Sequence, residues 1–283
     1  MGNYSVNWGI IGCNLAATNM AFNLHRLQRH IGAVADENYL TAIRFAQNQM
    51  VMQALPIRSL LNDQQIDAIF LADSLSNQQD IVQSAIRQHK SVLYDQLGTI
   101  SLADLQSLQQ LAIEERVLLF PNLPTCAMPL LTKLRQQKLN LTSVRTFFTS
   151  DADLPAYIPT LAALLVGLNL SISDLKLINQ TEDQLDFQLH KTQISMERNK
   201  QTDLLENALL VSDNGKKLLT SIFAPTKIET YPKNDEEPLI IGEGKKATQY
   251  LLQAFEEKIS DPFPPNLAHL GSVIQDITQQ LQA

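Results

Sequence analysis

The sequence predicts an α/β protein in which an N-terminal parallel sheet domain is followed by an α+β domain with a largely antiparallel open sheet. Through residue 120, short apolar runs alternate with segments of helical periodicity, which is typical of a parallel sheet with crossover helices. Beyond residue 123, strand-like stretches follow one another, and Asp213-Asn214-Gly215 is typical of a hairpin turn. We therefore predict one domain over residues 1–122 and a second over residues 123–283.

The first domain is predicted from apolar runs bounded by polar residues or glycine, the pattern of buried parallel strands. In chain order the segments are strand 7–12, helix 15–28, strand 31–35, helix 39–52, strand 67–72, helix 77–89, strand 91–94, helix 101–116 and strand 117–120. This order is that of a Rossmann-type sheet, whose ligands lie at the carboxyl ends of the strands.

The second domain is predicted from a change in pattern after residue 123. Its segments are helix 124–137, strand 141–149, helix 155–168, strand-like stretches 175–180, 184–197, 208–212, 217–223 and 227–231, and helices 246–259 and 266–282. On the outer face of this sheet we expect Phe187, Leu189 and Ile194. Such apolar side chains are unfavourable in water, so they indicate a covered surface.

Composition excludes several classes of protein. The 283 residues include 22 Lys and Arg against 29 Asp and Glu, a net charge of −7, which argues against binding to nucleic acids or anionic membranes. The two cysteines, Cys13 and Cys126, form no disulfide framework, and the five histidines show no metal spacing. We therefore expect no metal site. We also expect a cytoplasmic protein, since no signal peptide or membrane span is apparent.

The turn after the first strand, Gly12-Cys13-Asn14-Leu15-Ala16-Ala17, lies where the dinucleotide fingerprint G-x-G-x-x-G/A belongs. Gly12 and Ala17 match the pattern, while Asn14 replaces the second glycine. Asparagine tolerates left-handed dihedral angles, but its side chain occupies space that a pyrophosphate would use. The turn is either a cofactor loop, with Gly12, Asn14, Leu15 and Ala17 binding, or a plain strand-to-helix turn. Cys13 lies at a helix N-terminus, which lowers thiol pKa values.

Asp36 follows the second strand, 24 residues after Gly12. A carboxylate at this place accepts hydrogen bonds from the adenosine ribose hydroxyls. Together with Glu37 it would repel a 2′-phosphate, so we expect NAD rather than NADP, if a cofactor binds. Asp36 also precedes a helix, and a role as its N-cap is the alternative; both roles can coexist.

The order of these segments resembles the glucose–fructose oxidoreductase / inositol dehydrogenase (Gfo/Idh/MocA) family over almost the whole chain. The segments that carry the resemblance include NWGIIGCNLAA at the first strand, IRQHKSVLYDQLGTISLADLQSL around the fourth, and Asp153-Leu154-Pro155-Ala156-Tyr157. The resemblance identifies a divergent and shortened member. It implies an NAD(P)-dependent oxidoreductase acting on a small sugar, polyol or dihydrodiol-like substrate, and a homodimer formed through the C-terminal sheet.

Several motifs of this family are altered in the chain. The Glu-Lys-Pro motif is read as Asp95-Gln96-Leu97, and glutamine carries no charge and cannot act as a general base. We expect Gln96 only to orient the substrate, with Asp95 near the cofactor. The segment after the third predicted parallel strand, Ala72-Asp73-Ser74-Leu75-Ser76-Asn77-Gln78, lacks the family's proline and histidine. Ala72 and Asp73 are predicted to lie beside the cofactor.

The family's Asp-x-Gly-x-Tyr/His segment keeps both polar residues, Asp153 and Tyr157, with Pro155 in place of glycine. The resemblance implies that Tyr157 exchanges the hydroxyl proton and that Asp153 lies near it. The alternative is that Asp153 caps a helix and Tyr157 is an aromatic residue at the edge of the core. Only 58 residues separate Asp95 from Asp153, and relatives have about twenty more, so we expect an open or differently covered cleft.

Two functional hypotheses follow. The chain is an NAD(P)-dependent oxidoreductase, or it is a catalytically inactive member of the family with a binding or oligomerisation role. The replaced lysine and second glycine favour the second hypothesis, and the retained Gly12, Asp36, Asp153 and Tyr157 favour the first.

Overall fold

The chain divides into two compact units, residues 1–122 with 252–271 and residues 123–251 with 272–283. Residues 252–271 thus group with the first 122 residues rather than with the segment that precedes them. The computed structural model describes residues 5–72, 77–95, 101–127, 129–136, 139–149, 153–170, 172, 174–198, 207–213, 216–223, 227–231, 239–240, 246–259 and 267–282. No helix in these ranges is long and apolar enough to cross a membrane.

The first unit contains a five-stranded parallel sheet, which confirms the predicted Rossmann-type fold. Its strands are β1 (Asn7–Ile11), β2 (His30–Ala35), β3 (Ala68–Leu71), β4 (Ser91–Tyr94) and β5 (Leu119–Pro121), in the order β2-β1-β3-β4-β5. Every residue of β3 and β4 is buried, as expected for strands covered on both faces.

The helices of the first unit lie between these strands. They are α1 (Leu15–Arg26), α2 (Tyr39–Asn48), α3 (Ile57–Asn62), α4 (Gln78–Arg87) and α5 (Leu102–Glu114). Helix α2 ends four residues before the predicted Met52, because Met50 adopts a left-handed conformation and Ala54 pairs with Val34 of β2. Helix α3 was not predicted, since six residues after a proline are too few to show a helical period.

The second unit is built on an eight-stranded sheet. Its elements are α6 (Pro129–Gln136), β6 (Leu141–Phe148), α7 (Ile158–Gly167), β7 (Lys176–Gln180), β8 (Gln184–Leu189), β9 (Thr192–Arg198), β10 (Ala208–Asp213), β11 (Lys216–Ser221), β12 (Lys227–Tyr231) and β13 (Leu239–Ile240), with α8 (Ala247–Ile259) and α9 (Leu267–Gln282) closing the chain. The strand order is β13-β12-β11-β10-β6-β9-β8-β7. All neighbours are antiparallel except β6 and β9, and β10 and β11 form the predicted hairpin.

The faces of this sheet are the reverse of the prediction. Residues 184–197 form two strands joined by a turn at His190 rather than one, and Phe187 lies opposite Ile194. The expectation that Phe187, Leu189 and Ile194 face outward is wrong, because they are only 0–3% exposed and form part of the core of the unit. With a period of two, an error in assigning the covered face reverses every side chain.

The opposite face of the second sheet is polar. Arg145 donates its Nε and Nη2 to the two carboxylate oxygens of Glu197, both at 2.8 Å, and its guanidinium lies 5.1 Å from the ring of Phe147. Asp186 accepts hydrogen bonds from Asn179 and Gln184 at 2.9–3.0 Å. The charged groups of Arg145, Glu197 and Asp186 thus have partners among the side chains of this sheet.

The core of the first unit is completed from the far end of the sequence. The indole ring of Trp8, fully buried in β1, lies 5.1 Å from the ring of Phe255 in α8. Its Nε1 donates to Glu256 Oε1 at 3.2 Å, and Arg29 forms an ion pair with Glu256 at 2.7 Å. Phe255 also meets Phe120 edge to face, with ring centroids 6.3 Å apart. Residues of α8 thus fill the space beside β1 and β5.

Candidate nucleotide-binding site

The carboxyl ends of the parallel strands bring several predicted residues to one edge of the first sheet. Four residues that directly follow strands donate their backbone N–H groups to the ends of neighbouring strands at 2.7–2.9 Å; the donors are Gly12, Ala72, Asp95 and Asn122. Asp36 follows β2 directly, at the same edge. Ligands of parallel sheets bind at this edge.

Gly12 begins the loop with a φ of +88°. Residues with a Cβ are strained in this region, so the turn requires glycine here. Its N–H donates to Ala35 O at 2.9 Å, which holds the loop against the end of β2. The first glycine of the fingerprint therefore has the structural role that the sequence predicts.

Asn14 has a different role from the glycine that it replaces. Its φ is −99°, so its backbone does not need the left-handed tolerance that the sequence suggested. Its Oδ1 accepts the N–H of Ala17 at 3.0 Å, and its carbonyl accepts the N–H of Thr18 at 3.0 Å. Asn14 is therefore the N-cap of α1.

Two further backbone donors lie at the start of α1. The N–H groups of Leu15 and Ala16 have no acceptor among the residues that the structure describes, and the Leu15 side chain is 75% exposed. Backbone N–H groups at a helix N-terminus bind phosphate oxygens well. The loop thus fits a pyrophosphate at these two groups, whereas the N–H of Ala17 is already engaged by Asn14.

Asp36 links the loop to the next turn. Its Oδ2 accepts the N–H of Cys13 at 2.9 Å, and its Oδ1 accepts the N–H of Asn38 at 2.9 Å. Asp36 is not the N-cap of α2, because Asn38 caps it, accepting from Leu40 at 3.0 Å. Each carboxylate oxygen has two lone pairs, so both can still accept a hydrogen bond from a ribose hydroxyl.

Cys13 does not have the reactive thiol that its place at a helix N-terminus suggested. Burial, followed by the charge of Asp36 and a hydrogen bond with it, raises the pKa of the Cys13 thiol to about 12. Burial alone raises the pKa of Cys126 to about 12. Both cysteines are free, and both are thiols at neutral pH.

At the other end of the edge, Asp95 Oδ1 accepts the side-chain N–H of Asn122 at 3.1 Å. Asn122 Oδ1 is buried and has no hydrogen-bond partner in the described part of the chain. The sequence analysis missed Asn122, although a polar residue directly after the apolar strand β5 was the available signal. Ala72, the residue that follows β3, is fully buried. Asp73, Ser74, Gln96 and Leu97 lie outside the described residues.

Asp153 and Tyr157 belong to the second unit. A short 3-10 helix, Leu154–Tyr157, precedes α7, which therefore begins three residues later than predicted. The ring of Tyr157 stacks on that of Phe148 with centroids 4.0 Å apart and planes inclined by 14°. Asp153 occupies the N-cap position of this short helix, where its carbonyl accepts the N–H of Ala156 at 3.0 Å, but its exposed side chain makes no capping hydrogen bond.

No cluster of three or more His, Cys, Asp or Glu side chains suited to a metal ion occurs within the described ranges.

Comparisons with known proteins agree with this geometry. The oxidoreductase family with an NAD-binding Rossmann fold, GFO_IDH_MocA, matches residues 6–123. A search of curated protein sequences found no match.

Solved structures share the fold over the whole chain. The UDP-N-acetylglucosamine 3-dehydrogenase of Acidithiobacillus ferrooxidans is 15% identical, with a TM-score of 0.77 over 97% of this chain and 96% of that one. A dehydrogenase of Clostridium difficile is 15% identical, with a TM-score of 0.74 over 98% of both chains. A 3-ketoreductase of Actinomadura kijaniata, solved with NADP and TDP-benzene, is 15% identical, with a TM-score of 0.71 over 98% of both chains.

The match of residues 6–123, the five-stranded parallel sheet and the glycine turn beside Asp36 all point to one relationship. Residues 6–123 thus carry the likeness to the oxidoreductase family GFO_IDH_MocA, which has an NAD-binding Rossmann fold.

Proposed function

We propose that the chain is an NAD(P)-dependent oxidoreductase acting on a hydroxyl or ketone group of a small sugar, polyol or dihydrodiol-like substrate. The observation that carries the proposal is the Asp36 carboxylate, which joins the glycine turn to the start of the following helix through Cys13 and Asn38. This arrangement places a ribose acceptor, Asp36, close to two phosphate donors, the N–H groups of Leu15 and Ala16. We call these three groups the cradle. Two structurally similar proteins, a UDP-N-acetylglucosamine dehydrogenase and a ketoreductase solved with a TDP compound, favour the sugar class.

In this proposal each group of the cradle has one task. The N–H groups of Leu15 and Ala16 bind a pyrophosphate oxygen, and Asp36 binds the adenosine ribose. We propose that NAD binds more tightly than NADP, because a 2′-phosphate would bring negative charge against the Asp36 carboxylate. A nicotinamide bound in this way would supply or accept the hydride.

Tyr157 is proposed to exchange the proton of the substrate hydroxyl. Stacking on Phe148 restricts its ring, and its hydroxyl makes no hydrogen bond within the described ranges, so it is available for a substrate. Asp153, four residues earlier in the chain, is proposed to place its negative charge near Tyr157. Gln96, an amide, is proposed only to orient the substrate.

Calorimetric titration with NADH and then NADPH tests the proposal. We expect NADH to bind with micromolar affinity and NADPH about tenfold more weakly, a difference of about 1.4 kcal/mol. The variant Asp36→Asn should reduce this discrimination. Asp63→Asn is the matched control, since Asp63 likewise accepts the backbone N–H two residues on, at 2.9 Å, but precedes β3. Failure of both nucleotides to bind would overturn the proposal and favour the inactive alternative.

Turnover tests the catalytic part of the proposal separately. Nucleotide-linked sugars are the first substrates to screen. Tyr157→Phe should lower kcat by about 10²–10⁴-fold while leaving NADH affinity unchanged. Tyr231→Phe, which removes a hydroxyl that donates to Glu229 at 2.8 Å, is the control. Equal activity of the two variants would remove Tyr157 from the mechanism.

The homodimer remains a prediction that rests on the family resemblance, because the apolar residues first expected at the interface are buried within the unit. Analytical ultracentrifugation tests it with the wild-type chain and with Gln193→Arg, a change at an exposed position on the polar face of the second sheet. A wild-type dimer that dissociates in the variant supports this interface, and a wild-type monomer contradicts it.

A further inference from the structure

We propose that Asn14 limits the cofactor affinity of this chain by acting as an internal substitute for the phosphate. Its side-chain oxygen occupies a helix N-terminal donor that a glycine would leave open, so a nucleotide must displace it to use this donor in addition to the N–H groups of Leu15 and Ala16. The inference rests on the proposed function, because it concerns the same cradle.

The backbone at this position does not require the asparagine or forbid a glycine. Gly12, with its φ of +88°, must be glycine for conformational reasons, but Asn14, with a φ of −99°, adopts a conformation open to every residue. The second glycine of the fingerprint provides room for the pyrophosphate rather than a special dihedral angle. A substitution at position 14 should therefore change the binding of the ligand without changing the backbone conformation of the turn.

The side chain of Asn14 competes directly for one donor. Its Oδ1 accepts the N–H of Ala17 at 3.0 Å, while the N–H groups of Leu15 and Ala16 find no acceptor among the described residues. The first turn of α1 contains no acidic residue. The helix N-terminus thus keeps its attraction for an anion, and among the described residues it is the Asn14 side chain that occupies one of its donors.

A phosphate oxygen is a stronger acceptor than a neutral amide oxygen, because hydrogen bonds to charged groups are roughly twice as strong. A bound nucleotide can therefore take over the donor once the Asn14 side chain rotates away. The apparent dissociation constant then equals the intrinsic one divided by the fraction of molecules with the side chain displaced. A cap that stabilises the free protein lowers its affinity for the nucleotide.

The variants Asn14→Gly and Asn14→Ser test this inference with two readouts, calorimetric affinity and thermal unfolding of the ligand-free protein. The probes are NADH and ADP, which carries the diphosphate without the nicotinamide. We expect Asn14→Gly to bind both probes about tenfold more tightly, a change of about 1.4 kcal/mol. Its melting temperature without ligand should fall slightly, since glycine caps less well than asparagine. Asn14→Ser, whose shorter side chain still caps, should bind with intermediate affinity.

Ser101→Gly is the matched control. Ser101 is also an N-cap whose side chain accepts a backbone N–H, that of Asp104 at 3.2 Å, but it caps α5 instead of the helix after the glycine turn. It should lower the melting temperature by a similar small amount without raising the affinity for either probe. A general loosening of helix ends would raise the affinity in both glycine variants and would overturn the inference.

The outcomes separate this inference from the proposed function. If the wild-type chain binds NADH and both Asn14 variants bind no more tightly, the inference is overturned and the proposed function stands. If neither the wild-type chain nor any Asn14 variant binds either probe, both fail. If only the Asn14 variants bind, the inference is supported, and this one side chain prevents the natural chain from binding its cofactor.

Discussion

The two sheets of this protein bury their strands in different ways. In the parallel sheet, β3 and β4 are buried at every residue, whereas in the second sheet buried Phe187 is followed by the partly exposed Gln188. A strand covered on both faces has no face to assign wrongly. A strand with one apolar face does, and the prediction placed the apolar face of β8 on the outside of the sheet instead of in the core of its own unit. The predictions below test this difference.

The largest effect is expected from Phe187→Ala. Phe187 is fully buried, so truncation should lower the free energy of unfolding by about 3–5 kcal/mol, measured by denaturant titration. Phe70→Ala in β3, also fully buried, should cost a similar amount. Gln188→Ala should cost much less, because its side chain lies on the other face. If Phe187→Ala lowered the free energy of unfolding only slightly, the result would support the sequence-based expectation that Phe187 faces outward.

A smaller loss is expected from Gly12→Ala at the edge of the parallel sheet. Forcing a residue with a Cβ to a φ of +88° costs about 1–3 kcal/mol. Gly271→Ala, within α9, is the control of opposite sign, since alanine is favoured over glycine in a helix by up to about 1 kcal/mol. Thermal unfolding of both variants measures the two effects. Equal stability of the Gly12 variant and the wild-type chain would contradict the strain.

The polar face of the second sheet should show its own pH dependence through Asp186. Burial raises the pKa of Asp186, but hydrogen bonds from Asn179, Gln184 and Ser195, together with the charge of Arg145, outweigh it, so the pKa lies below the usual value. Because an amide oxygen cannot replace both carboxylate oxygens as acceptors of these hydrogen bonds, Asp186→Asn should lower the free energy of unfolding at neutral pH by about 1–3 kcal/mol.

The sign of this pH dependence follows from linkage. A carboxyl group whose pKa is lower in the folded state contributes its full stability above its unfolded pKa, about 3.9, and loses it as the pH falls through the folded value. The difference in unfolding free energy between the wild-type chain and Asp186→Asn should thus be constant near pH 7 and shrink below about pH 4. A difference that grew on acidification would contradict the lowered pKa.

The smallest effect concerns reactivity rather than stability. With thiol pKa values raised to about 12, Cys13 and Cys126 should both react slowly with iodoacetamide at pH 8. Asp36→Asn removes one charge and one hydrogen bond that raise the pKa of Cys13, so alkylation of Cys13 should become several-fold faster. Cys126 is the internal control, because burial alone raises its pKa. Mass spectrometry of the modified peptides measures both rates.

The sequence predicted the parallel sheet, the glycine turn and Asp36 because each depends on local chemistry: apolar runs, a residue that must adopt a positive φ, and a carboxylate directly after a strand. It did not predict the hydrogen bond between Asp95 and Asn122, because these residues follow different strands and lie 27 residues apart in the chain. It also assigned helix capping to Asp36 where Asn38 has that role, since both residues are good caps and only the geometry chooses between them. The faces of the second sheet depend on what the helices cover, which is a property of the whole unit.

The position of Phe255 and Glu256 in the core of the first unit has a consequence for synthesis on the ribosome. The strands of the parallel sheet are all translated by residue 121, but the aromatic ring that packs on Trp8 is translated about 130 residues later. At about 5–20 residues per second, this delay is roughly 7–27 seconds. During that interval the first unit exposes the indole of Trp8, and the nascent chain must protect this apolar surface until its own last helices emerge.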